Sequence, residues 1–227
     1  MKGSKILIQV AIFSVAMGFL EAAVVVYLRE MYYPRGFESA PEVMSSRIII
    51  TELLRELATI IMLAYIGIIS GKTFAERFSL FLFSFAIWDI FYYVFLKAVL
   101  NWPASVFIWD ILFLIPVPWL GPVLAPCIIS LTMILLTLVV FHIGSKGIEV
   151  KFRGTDWIAM ITASVLYIFS FTDGQYGLLQ DAGEGIIRMS GIVFPERYKW
   201  ELFMIPQAIL LFWLYVFWKR HLRTKLA

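Results

Sequence analysis

Glu21, Glu52, Arg55, Glu56, Asp89 and Asp110 stand in stretches that are otherwise almost wholly apolar. An ionisable side chain facing hydrocarbon costs several kcal/mol, so each of these residues must be buried, paired or functional. Five carboxylates against one guanidinium cannot all stay ionised in a dry site, because an uncompensated buried charge tends to become neutral. Protons, water in an outward-opening vestibule, or a bound cation must compensate, and all three make the site a poor host for an anion. A divalent cation would suit the Glu and Asp oxygens. An organic amine would suit the same carboxylates walled by Trp88, Tyr92, Tyr93, Trp109 and Trp119 through cation–π contact. A purely structural reading stands beside these: Glu52 pairs with Arg55, Glu21 bonds a neighbouring helix, and Asp110 lies in the headgroup layer.

Other signals carry less chemistry. Ile-Trp-Asp-Ile occurs at 87–90 and again at 108–111, but in a chain this rich in Ile and Trp it reads as coincidence with interfacial anchoring. Asp173, Gln175, Asp181 and Glu184 match part of a calcium-loop spacing, yet Gly177 and Leu178 fall where an oxygen ligand and the invariant glycine are required, which leaves a solvated loop. His142 and His221 are too far apart in the bundle to ligate haem, so no haem is expected. His142 is also expected on the face opposite the acids, which removes Ser-His-Asp catalysis. The single cysteine, Cys127, excludes an intrachain disulfide.

The elements that must hold the acids follow from composition. Of 227 residues, 61% are hydrophobic and 15% charged, with a mean hydropathy of +0.87, far from the globular range. The chain reads as an all-α, polytopic membrane helix bundle forming a single transmembrane domain, 1–227, with the lipid bilayer as its principal partner. A net charge of +3 spread over connections and tail argues against nucleic acid. The opening Lys5–Leu28 stretch is too long for a cleaved signal and reads as the first span. In the second, the uncharged part Leu57–Ile69 would cover only about 20 Å of a roughly 30 Å core. That helix must therefore begin near Arg47, drawing Glu52, Arg55 and Glu56 into the membrane, with Arg55 in i,i+3 reach of Glu52. Span three, Phe78–Leu96, carries Asp89.

The apolar region Pro103–Phe141 is too long for one helix and is broken by Pro116, Pro118, Pro122 and Pro126. It is expected to divide into a half-helix or interfacial helix, Pro103–Ile115, bearing Asp110, and a fourth span, Pro122–Phe141. Spans five and six are expected at Asp156–Thr172 and Trp200–Trp218, the last kinked at Pro206, with a polar loop Asp173–Tyr198 between them. Six spans put both termini on one side. Eleven Lys and Arg residues fall on that side against seven opposite, which predicts a cell-membrane protein with cytoplasmic termini. The tail, Lys219 to Lys225, is expected to anchor at anionic headgroups. In that orientation the acids of four segments share the outer leaflet, with Arg55 as the only deep cation.

Three functions are compatible with this pattern. The first is a protein with an outward-facing carboxylate-lined pocket that binds or transports a cation or small cationic solute. The second is a membrane-embedded enzyme acting on a lipid or quinone-like substrate at the outer leaflet, with Asp89, Glu52 or Glu56 as general acid or base. The third is a non-catalytic subunit or assembly factor. Oligomerisation is compatible with each.

Overall fold

A computed structural model of the chain describes residues 2–32, 45–113, 118–173 and 197–223. In chain order these form α1 (Lys2–Tyr32), α2 (Ser46–Ser70), α3 (Phe74–Leu100), β1 (Trp109–Phe113), β2 (Trp119–Pro122), α4 (Leu124–Ser145), α5 (Gly154–Thr172) and α6 (Trp200–Arg223). The described residues include six helices long and apolar enough to cross a membrane, and the protein is a multi-pass membrane protein. Aliphatic and aromatic side chains remain exposed along these helices, for example Ile12, Leu54, Ile158 and Phe212, as lipid-facing positions require.

α3 is the central post, packed against α1, α2 and α4. Its start is capped by Thr73, whose hydroxyl accepts from the Glu76 amide at 3.2 Å. Asn101 ends it in the left-handed region at φ 54°, which asparagine tolerates better than most residues. Two glycines let the neighbouring helices close on it. A Cβ at Gly18 of α1 would lie 2.9 Å from the Trp88 carbonyl oxygen, and one at Gly67 of α2 would lie 2.6 Å from the Phe81 nitrogen. Small residues permit such backbone approach where lipid offers no hydrophobic drive between helices. Interhelical hydroxyls reinforce it: Ser84 donates to the Leu63 carbonyl of α2 at 2.8 Å, and Thr137 of α4 donates to the Ser79 carbonyl at 2.8 Å.

The expected half-helix or interfacial helix at Pro103–Ile115 is not found in the described part of that region. Residues 109–113 are instead a strand, paired antiparallel with β2 in the register Trp109 to Pro122, Asp110 to Gly121, Ile111 to Leu120 and Phe113 to Trp119. Ile108, Trp109, Ile111 and Phe113 favour extended backbone, and the ladder satisfies amides that a proline-interrupted helix would leave open. The hairpin also serves α4, whose entry amides lack intrahelical partners: Val123 N–H donates to Ile108 O at 3.0 Å and Leu124 N–H to Val106 O at 2.8 Å. We call this side of the bundle the hairpin end.

Candidate functional site

Arg55 organises the first group of acids. Its Nε donates to Glu52 Oε2 at 2.7 Å, and its Nη1 donates to Glu21 Oε1 of α1. One turn further along α2, the Thr59 hydroxyl donates to Glu21 Oε2 at 3.4 Å. Positions 52, 55 and 59 lie on one face of α2 because they are three and four residues apart. Glu21 meets them where α1 packs against α2. Glu56 is also buried on α2. The i,i+3 pair expected from spacing is present, and Glu21 bonds a neighbouring helix as the structural reading expected, with the same guanidinium as its partner.

The second group lies between α3, the hairpin and α4. Tyr93 donates its hydroxyl to Asp110 Oδ2 at 3.1 Å, and Arg29 Nη2 stands 3.9 Å from Asp110 Oδ1. The Arg29 guanidinium also stacks 3.9 Å from the centroid of the Trp102 ring, a cation–π contact strengthened by desolvation. Asp110 lies outside the six spanning helices. Burial pushes its carboxyl up to about 6, against the opposing pull of Arg29, the Tyr93 hydroxyl and the Ile111 amide. One turn below Tyr93 on α3, Asp89 accepts from Ser130 of α4 at 2.8 Å. Asp110 is near enough for its charge to bear on Asp89, and among the described residues no cation is within ion-pair distance of Asp89.

Tyr92 joins the two groups. It lies in the electrostatic reach of Asp110, Arg29, Glu21 and Arg55, and its ring is 4.8 Å from that of Tyr93. Tyr92 thus stands between Glu21, Glu52 and Arg55 on one side and Tyr93, Asp89 and Asp110 on the other, in a layer where Glu52, Tyr93, Asp89 and Asp110 are buried and Glu21, Arg55 and Tyr92 partly so. Within it the acids divide into two sets, Glu21 with Glu52 around Arg55 and Asp89 with Asp110 beside Arg29. Each set has two carboxylates to one guanidinium.

Several expected partners sit elsewhere. Trp88 is buried among Met17, Leu63, Phe85 and Phe113, so its ring packs against apolar side chains. Trp109 packs edge-on against Tyr198, and Trp119 stacks on Phe171. Among the described residues, the tryptophan observed over a cation is Trp102. Among the described residues, no three of His, Cys, Asp and Glu are grouped as metal ligands. The two Ile-Trp-Asp-Ile copies adopt different structures, helix in α3 and strand in β1, although their aspartates are neighbours in space. Of the calcium-loop spacing, Asp173 is described and pairs with Lys199 at 2.5 Å, and Gln175, Asp181 and Glu184 lie outside the described residues.

Sequence reasoning missed Arg29, which it placed in an outer connection because span one was ended at Leu28. α1 continues to Tyr32, and Arg29 lies eight residues beyond Glu21 on the same helical face, a spacing that could have signalled it. Ser130 gave no such signal, being a lone hydroxyl in an apolar run. A second polar chain was also missed: Tyr167 donates to Gln207 Oε1 at 2.6 Å, and Gln207 Nε2 donates to Thr132 Oγ1 at 2.9 Å, linking α5, α6 and α4. At the opposite end of the bundle Asp156 is buried, accepting from Arg220 at 2.7 and 3.0 Å and from the Trp213 indole at 2.9 Å. Arg220 is thus engaged inside the protein, where it had been expected to join the tail at the headgroups. The chain matches no protein-family model, no curated protein sequence and no solved structure.

Proposed function

We propose that this protein binds a small cation at the Asp89–Asp110 pair and carries it across the cell membrane, exchanging it there for a proton. The observation that carries the reading is the charge imbalance of that pair: two buried carboxylates have Arg29 beside one of them and a serine hydroxyl on the other. A buried charge without a partner must be compensated, and a proton or a cation provides the missing positive charge. A singly charged guest fits a two-carboxylate site better than a hard divalent ion, which takes six or more oxygen ligands. The hydroxyls of Tyr93 and Ser130 supply further oxygens without adding charge. The Lys and Arg distribution, which favours cytoplasmic termini, would put the layer in the outer half of the membrane. Thr132, Gln207 and Tyr167 form a further polar chain between α4, α6 and α5, and intramembrane polar groups of this kind accompany solute pathways.

Uptake into reconstituted vesicles tests the reading. Cation-dependent uptake should be lost in Asp89→Asn and reduced in Glu52→Gln, whose carboxylate belongs to the neighbouring set. Wild-type uptake rates in both variants would overturn it.

A further inference from the structure

Helices α4 and α6 flank an apolar groove of about 580 Å³ on the lipid-facing surface, at the end of the bundle away from the hairpin. Val139 and Leu214 form its floor, where Leu214 belongs to a buried cluster with Val140 and Phe217. The groove ends between His142 on one helix and Tyr215 and Trp218 on the other. Amphipathic aromatics of this kind sit at headgroup level.

The end of the groove is basic. Lys219 places its Nζ 4.5 Å from the centroid of the Tyr215 ring, a groove-lining side chain. Lys146 is exposed one turn beyond His142, where α4 ends. The acids described at this end are already engaged: Asp156 by Arg220, Glu149 by Lys151 and Glu76 by the Lys72 amide. An exposed lysine therefore stands near the end of an acyl-sized trough on each of its two flanking helices, Lys146 at the end of α4 and Lys219 on α6, and neither is ion-paired among the described residues.

We propose that this groove is a discrete site for one anionic phospholipid, with an acyl chain along the Val139–Leu214 floor and the phosphate between Lys146 and Lys219. Basic pockets between transmembrane helices select anionic headgroups because each lysine adds attraction that a zwitterionic headgroup does not reward. The site is separate from the carboxylate layer and does not depend on its function.

Native mass spectrometry of the purified full chain, titrated with phosphatidylglycerol or with phosphatidylcholine of the same acyl chains, tests it. One phosphatidylglycerol should bind in preference to phosphatidylcholine. Each lysine contributes about fivefold in affinity, so Lys146→Gln with Lys219→Gln should remove a preference of about 25-fold. Leu135→Trp, a substitution at an exposed groove-lining position, should block binding of both lipids while leaving the lysines in place. Equal binding of the two lipids by the wild type would overturn the proposal. So would a preference that survives the double substitution, or a dimer of the chain that excludes lipid from the groove.

Discussion

Replacing Arg55 with Met is the sharpest perturbation of the first acid set. The guanidinium is only 21% exposed and makes ion pairs with two carboxylates that are 11% and 9% exposed. Removing one partner of a buried pair typically costs about 3–5 kcal/mol, because the remaining charge is left without compensation. Here two carboxylates are left at once, so the upper part of that range applies. For a chain of this size about 1 kcal/mol shifts the thermal midpoint by roughly 2–4 °C, and Arg55→Met should lower it by about 8–20 °C in detergent, read by circular dichroism. Adding Glu21→Gln and Glu52→Gln to the same chain removes the stranded charges. The triple variant should therefore recover most of the loss, since amides can be satisfied by Thr59 and by each other at lower desolvation cost. A fall of less than about 2 °C in the single variant, or a triple variant no more stable than the single, would refute the buried triad.

Gly18→Ala should destabilise by about 1–3 kcal/mol, because its Cβ would meet backbone of α3 that cannot move cheaply, whereas Gly144→Ala, with nothing within 4 Å, should be neutral or stabilising; thermal midpoints of the pair check this. Arg220→Met should cost about 3–5 kcal/mol by leaving Asp156 in a buried site, and adding Asp156→Asn should restore a large share, in the same melting assay. Asp110 has a folded-state pKa raised to about 6, so its ionised form is the less stable one in the fold. Its contribution is present below the ordinary carboxylate range and is lost as pH rises through about 6. The melting midpoint of the wild type relative to Asp110→Asn should accordingly fall between pH 4 and pH 7, and a difference that does not vary with pH would contradict the burial of that carboxyl.

Much of the bundle was legible because the bilayer sets the length of a span. Leu57–Ile69 alone was too short, which drew the start of the second helix back to Arg47, and α2 indeed begins at Ser46. The Glu52–Arg55 pair followed from helical spacing. The hairpin was not legible, because Pro116 and Pro118 announce a break without saying what precedes it. A short apolar run such as Trp109–Phe113 has no periodicity that separates a buried strand from a buried helix. The division of the acids into two sets was likewise hidden. It depends on which side of α3 each neighbouring helix occupies, and on Arg29 being reached by the last turns of α1. Helix ends are the least legible feature of a sequence, and ending α1 four residues early was enough to lose the second guanidinium. The Thr132–Gln207–Tyr167 chain escaped notice for a related reason, since uncharged polar side chains leave no mark on hydropathy yet satisfy one another across helices.

The Asp89–Asp110 pair is tested most directly by titrating the purified protein with sodium, potassium, lithium or methylammonium in weakly buffered solution while recording both cation binding and proton release. Saturable binding of one of these ions, accompanied by a released proton and abolished together with that release by Asp89→Asn in a variant that melts like the wild type, is the result expected from a compensated carboxylate pair. Binding that persists unchanged in Asp89→Asn, or no binding of any of these ions and no proton release, would contradict it.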